Sequence, residues 1–146
     1  MELNQDFKEF IELLNSNEVK YIVVGGYAVG FHGYPRYTGD IDLWIAISKE
    51  NTERFVDVLK KFGFTALALI PEDFQKEDLV IQFGYEPNRI DILTSVTGLN
   101  FEECYAKSNQ ANFEGLPIIF LDLESLKKNK SLTGRKKDLG DIENLP

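Results

Sequence analysis

Two aspartates stand two apart in an apolar run, Asp40-Ile41-Asp42-Leu43-Trp44. On a strand, residues two apart point to one face, with Cα atoms about 6.5 Å apart. Their carboxylates can then converge on one hard cation, and oxygen-only ligation with retained water suits Mg²⁺. Without a cation, two close acids repel unless one takes up a proton. Ile41, Leu43 and Trp44 would partly desolvate the pair and sharpen that need. Taken alone, the motif also fits an exposed strand edge carrying two solvated acids.

Two further elements bear on the pair. Val24-Gly25-Gly26 lies thirteen residues upstream. Glycines that end a strand let the backbone approach a ligand closely, and the N–H groups of a helical turn beginning near Tyr27 could face a phosphate; a plain tight turn is the simpler reading. Downstream, Asn88-Arg89-Ile90-Asp91-Ile92-Leu93 places a third acid in an aliphatic strand pattern. If that strand neighbours the first acidic one, Asp91 completes a three-carboxylate cage; otherwise it is the ion-pair partner of Arg89 or Arg36. Arg36, four residues before Asp40, could donate to a phosphate oxygen as a two-pronged group or neutralise the acids when no metal is bound. His32, the single histidine, could serve as an acid or base or make a structural hydrogen bond. No G-x-x-x-x-G-K-[ST] motif is present, which disfavours a P-loop NTPase.

The surrounding pattern predicts the elements that must hold these residues. Phe7, Phe10, Ile11 and Leu14 recur at helical spacing over 4–17, with Asn4 as cap. Lys20–Val24 reads as a strand, Tyr27–His32 as one or two helical turns, and Ile41–Ile47 as a second strand. Asn51–Phe62 is a helix stopped by Gly63. Thr65–Ile70 reads as a strand. Leu79–Phe83 and Arg89–Thr94 read as an antiparallel hairpin with a loop longer than two residues. Phe101–Lys107 is a helix, Ile118–Leu121 a last strand, and Glu124–Lys130 and Lys136–Leu145 two closing helices around Gly134. This order predicts an α/β (α+β) fold, a mixed sheet with helices packed mainly on one face. A single domain over 1–146 is expected, with a helical tail from about 122.

Composition narrows the function classes. The 146 residues carry 16 Lys plus Arg against 24 Asp plus Glu, a net charge of −8, which argues against non-specific coating of nucleic acid. Yet six of the 16 basic residues, Lys127, Lys128, Lys130, Arg135, Lys136 and Lys137, fall within eleven positions. They form either a solvated helix face paired with Asp138 and Asp141 or a basic wall for a triphosphate or an RNA end. Tyr34, Tyr37 or Trp44 could stack on a base or simply pack. The lone Cys104 excludes an internal disulfide. The opening Met1–Asp6 has no basic residue, and no apolar run reaches the roughly 18 residues of a membrane span. A cytoplasmic protein without a membrane partner is expected.

Gly25-Gly26, the thirteen-residue gap, Asp40-Ile41-Asp42-Leu43 and the later Asp91 together resemble the nucleotidyltransferases of the DNA polymerase β superfamily. The segment 25–42 is similar to that of small bacterial members, the AbiEii-type toxin nucleotidyltransferases and the lincosamide-type antibiotic nucleotidyltransferases. Arg135-Lys136-Lys137-Asp138-x-x-Asp141-Ile142 is similar to the R-x-K-D-x-x-D ending of that group. The resemblance covers about residues 20–145. It implies transfer of a nucleoside monophosphate from an NTP to a hydroxyl on tRNA, a protein or a small molecule. It implies two Mg²⁺ ions bound by Asp40 and Asp42, Asp91 binding the catalytic ion, Gly25 and Gly26 against the triphosphate, Lys137 on a phosphate and Asp138 positioning the tail. No segment obviously supplies a large acceptor-binding domain, so a partner protein or a second copy is the expected source, as in a toxin–antitoxin pair. A non-catalytic nucleotide- or protein-binding module on the same fold is the alternative; a metal-dependent phosphohydrolase ranks below both.

Overall fold

The computed structural model describes residues 3–34 and 39–146. Helix α1 (Gln5–Ser16) is capped by Asn4, whose side chain accepts from the Phe7 N–H, and buries Phe7, Phe10, Ile11 and Leu14. Strand β1 (Tyr21–Val24) runs directly into α2 (Gly25–Phe31), so the helix starts at Gly25 rather than near Tyr27. Strand β2 (Ile41–Ile45) precedes α3 (Lys49–Phe62), which is capped by Ser48 and closed by Gly63 in the left-handed conformation. Phe10 meets Phe55 and Phe62 edge-on, joining α1 to α3.

Strands β3 (Val80–Phe83) and β4 (Ile90–Leu93) form the expected antiparallel hairpin. Two expectations need correction. Thr65–Leu67 is a 3₁₀ turn, not a strand; its residues stay accessible, so no sheet neighbour overrides the local turn. Strand β5 (Asn109–Phe113) was not foreseen, because Asn109, Gln110 and Asn112 are poor strand formers on an exposed edge. It pairs antiparallel with β6 (Leu116–Phe120). Helix α4 (Phe101–Ala106) precedes this hairpin; α5 (Leu123–Thr133) and α6 (Lys136–Asn144) follow it.

The six strands form one mixed sheet in the order β3-β4-β2-β1-β6-β5. All four residues of central β1 are buried, and its Ile22 and Val23 join Leu43, Ile45, Ile92 and Phe120 in a core shared with α1 and α3. Strand β2 pairs antiparallel with β1 and parallel with β4, which makes its mouth the meeting point of three connections. Among the described residues no helix is long and apolar enough to cross a membrane.

Candidate active site

The parallel β2–β4 register places Asp42 directly opposite Asp91. Val24, the last residue of β1, lies opposite Asp42 on the other side. Asp40 stands just before β2, and its carboxylate accepts from the Arg89 backbone N–H at 3.0 Å; the Ile41 N–H donates to the Arg89 carbonyl at 3.0 Å. The condition attached to Asp91 in the sequence is therefore met: its strand neighbours that of Asp42, and three carboxylates gather at one end of adjacent strands.

A cation already stands among them. The Arg89 guanidinium donates from Nε to Asp91 Oδ1 at 2.6 Å and from Nη2 to Asp91 Oδ2 at 3.0 Å. Nη2 lies 3.3 Å from Asp40 Oδ2, and Nη1 3.1 Å from Glu86 Oε1. Asp42 receives none of these bonds. Its burial, followed by the charge of Asp91, a hydrogen bond with Asp91 and the charge of Asp40, pushes the Asp42 carboxyl up to about 6, against a smaller opposing pull from Lys137.

The acids floor a cleft of about 780 Å³ whose walls include Gly25, Gly26, Asn129, Arg135 and Lys137. Helix α6 brings Lys137 there through a buried ionic knot. Lys130 Nζ lies 3.3 Å from Asp138 Oδ1 and 2.9 Å from Asp141 Oδ2, and all three residues are at least 95% buried. Asp138 also accepts from Thr133 Oγ1 at 2.7 Å and Arg135 Nε at 2.7 Å. Burial alone would raise the Asp138 carboxyl; the hydrogen bonds from Arg135, Thr133 and Lys130 reverse this and hold it below the usual carboxylate range.

Solved structures share this architecture. A Thermotoga maritima protein, TM1012, provisionally named a nucleotidyltransferase, superposes with a TM-score of 0.60 at 12% identity, covering 93% of this chain and 87% of its own. The lincosamide antibiotic adenylyltransferase LnuA, solved with lincomycin bound, gives 0.58 at 15% identity, covering 97% and 95%. ANT(2″)-Ia, solved with adenylyl-2″-tobramycin, gives 0.51 at 12% identity, covering 92% and 82%. The chain has the nucleotidyltransferase fold. No protein-family model matches the sequence, and no curated protein matches it.

Within this nucleotidyltransferase fold, the chemistry of the donor set fits the Mg²⁺ expected from the sequence: three aspartates, no nitrogen or sulfur, two of them directly opposite on paired strands. Among the described residues no group of three acidic, histidine or cysteine side chains is arranged to hold a metal ion as it stands. Both oxygens of Asp91 are engaged by Arg89. The sequence named Arg89 as a partner for Asp91; it carried no sign that the same guanidinium reaches Asp40 and Glu86.

Gly25 is required where it is. Its φ is +66°, and a Cβ there would run into Asp42 Oδ2. Gly25→Ala should therefore cost about 1–3 kcal/mol from the left-handed backbone and the displaced carboxylate together. Urea denaturation of the metal-free protein checks this; unchanged stability would mean both that Asp42 moves aside freely and that the backbone at 25 leaves the left-handed region without cost.

Other sequence candidates fall elsewhere. His32 Nε2 lies 2.6 Å from the Leu121 carbonyl, a tie between the end of α2 and the sheet, which is the structural alternative weighed for it. Trp44 is buried and meets Phe101 edge-on, so it packs rather than stacking on a base. The basic tail is not a uniform wall: Lys130 is buried in the ionic knot at the edge of the cleft, whereas Arg135 and Lys137 line it as exposed residues. Arg36, Tyr37 and Thr38 lie outside the described residues.

Proposed function

We propose that this chain is a Mg²⁺-dependent nucleotidyltransferase, moving an NMP from an NTP to a hydroxyl acceptor. The observation that carries the reading is the Asp42–Asp91 register on adjacent parallel strands, with Asp40 beside it, at the floor of a cleft overhung by Lys137. Asp40, Asp42 and Asp91 would hold the ions, two in number. Mg²⁺ bound there would offset the charge developing on the entering and leaving oxygens. The acceptor oxygen bonds to the α-phosphorus as the α–β bridging bond breaks, and pyrophosphate leaves. Asp91 is the nearest of the three acids to β3 and takes the hydroxyl proton. Gly25 and Gly26 give the triphosphate a close approach to backbone, and Lys137 contacts a phosphate; Arg36 is assigned the same task.

Two of the structural neighbours were solved with an antibiotic or its adenylylated form, which supports a small hydroxylated acceptor. A tRNA end or a protein hydroxyl, as in a toxin–antitoxin component working with a partner or as a homodimer, is the other form of this reading. A non-catalytic module draws support from the Arg89–Asp91 pair.

Incubation with each α-labelled NTP and Mg²⁺ tests this, with total tRNA, cell extract, a lincosamide and an aminoglycoside as acceptors. Transfer by wild type and not by Asp42→Asn is expected, and the labelled species identifies the acceptor class. Equal labelling by both proteins would reject the site; no labelling and no Mg²⁺-dependent NTP binding would leave the module. Lys137→Ala should weaken NTP binding about five- to tenfold, with the melting temperature almost unchanged because the residue is exposed. Equilibrium dialysis reads the first and a thermal melt the second; unchanged NTP affinity would reject the phosphate contact.

A further inference from the structure

We infer that Arg89 is a resident competitor for the divalent cation: its guanidinium holds the acidic site in a metal-free state and must leave Asp91 before Asp91 can ligate. The inference rests on the reading of Asp40, Asp42 and Asp91 as cation ligands.

Three observations carry it. First, the Arg89–Asp91 contact is two-pronged, at 2.6 and 3.0 Å, and uses both Asp91 oxygens. A carboxylate gripped this way has its strongest acceptor directions already filled. Second, the same guanidinium reaches Asp40 at 3.3 Å and Glu86 at 3.1 Å. It therefore neutralises two of the three site acids and a third, non-ligand acid at once. Third, the pairing is built into the backbone. Arg89 is anchored by its N–H to Asp40 and by its carbonyl to the Ile41 N–H, and lies two residues before Asp91 on the approach to the same strand. The side chain is only about one-fifth exposed, so it is held over the acids rather than sampling solvent.

A purely structural clamp would look similar at rest, but the two roles diverge when metal arrives. A clamp organises the ligands, so its loss weakens metal binding. A competitor occupies them, so its loss strengthens metal binding even as the metal-free protein becomes less stable. Release of Arg89 also frees its guanidinium within the cleft that contains Lys137, where the triphosphate is the available anion. Metal and NTP should then bind cooperatively, since each favours the released arginine.

The experiment is Mn²⁺ binding followed by electron paramagnetic resonance, first without nucleotide and then with a non-hydrolysable NTP, on wild type, Arg89→Gln, Arg89→Lys, Lys137→Gln and Asp42→Asn. Arg89→Gln should bind Mn²⁺ about ten- to hundredfold more tightly than wild type, the equivalent of a two-pronged charged hydrogen bond no longer competing. Its metal-free form should melt lower. Arg89→Lys, which keeps the charge but loses the fork, should fall between them. Lys137→Gln removes a nearby positive charge without freeing any carboxylate oxygen, so it reports the field effect alone and should change affinity by no more than about threefold. In wild type, a non-hydrolysable NTP should tighten Mn²⁺ binding more than it does in Arg89→Gln. Unchanged or weaker Mn²⁺ binding by Arg89→Gln, or a Lys137→Gln effect of equal size, would overturn the inference while leaving the cation site intact. Should Arg89→Gln not fold, Arg89→Lys decides: tighter binding than wild type supports competition, equal or weaker binding rejects it. Mn²⁺ binding that survives Asp42→Asn, or its absence from every variant, would instead overturn the assignment of the acids, and the inference with it.

Discussion

Asp42→Asn should abolish nucleotidyl transfer, by at least about three orders of magnitude, and at the same time make the metal-free protein more stable. The two effects share one cause. Asp42 is a carboxylate placed beside Asp91 in a half-buried setting without receiving a bond from Arg89. Burial first, then the charge of Asp91, raise its pKa from 3.8 to about 6. At pH 7 the folded protein therefore holds a charge that it disfavours. A shift of about two units is worth about 2–3 kcal/mol, or roughly 5–10 °C for a chain of this size. Asparagine removes the charge, keeps the shape and can donate to Asp91 as the protonated acid does. It is also a poor ligand for a hard cation, which is why activity is lost while stability is gained.

The pH dependence carries the sign. Because the folded pKa lies above the unfolded one, the favourable contribution of Asp42 is complete below about pH 4 and is lost as pH rises through about 6. Wild type should therefore gain stability on going from pH 7.5 to 5. The gap between Asp42→Asn and wild type should be widest above pH 6.5 and close as pH falls towards 4. Thermal melts of both proteins across that range in EDTA read the effect, and saturating Mg²⁺ with NTP should flatten the wild-type curve. A gap that is zero at pH 7.5, or independent of pH, would show that the two acids do not repel as placed.

What could be read from the sequence was the part written in local pattern. Helix α1 announced itself through four apolar residues at helical spacing and Asn4, and the β3–β4 hairpin through two aliphatic runs around a turn-rich loop. The Asp-x-Asp spacing gave two acids on one face, but nothing local states which strand lies beside β2. That β4 is parallel to it, with Asp91 opposite Asp42, is a tertiary fact. Strand β5 was missed because its sequence is polar and its strand character comes from pairing with β6. Arg89 was visible as one partner of Asp91; its reach to Asp40 follows from the β2–β4 crossing, which the spacing does not encode. Lys130 was counted among exposed basic residues because one-dimensional charge runs do not reveal which member faces a neighbouring helix.

That buried lysine leads to the second large effect. Lys130→Met should destabilise the protein by about 3 kcal/mol, near 10 °C in melting temperature. Lys130 Nζ bridges Asp138 on the first turn of α6 and Asp141 one turn on. Removing it leaves two acids at 1% and 3% exposure without their shared cation. Asp138 keeps Arg135 and Thr133, which holds the loss at the lower end of what breaking a buried pair costs. Both acids lie on α6, so the damage should be local before it is global. Amide exchange in 136–144 should speed up more than in β1 or β2, and NTP affinity should fall with it because Lys137 sits on the loosened helix. Replacing all three charges together, as Lys130→Met with Asp138→Leu and Asp141→Leu, removes the buried acids along with their shared cation and should recover most of the stability. It should not recover all of the NTP affinity, since packing of apolar side chains does not fix the rotation of α6 as directional bonds to Asp138 and Asp141 do. A triple variant as unstable as Lys130→Met would mean that the knot stabilises by its bonds rather than by cancelling charge. A Lys130→Met protein that melts with wild type would show that α6 is held by its apolar contacts alone.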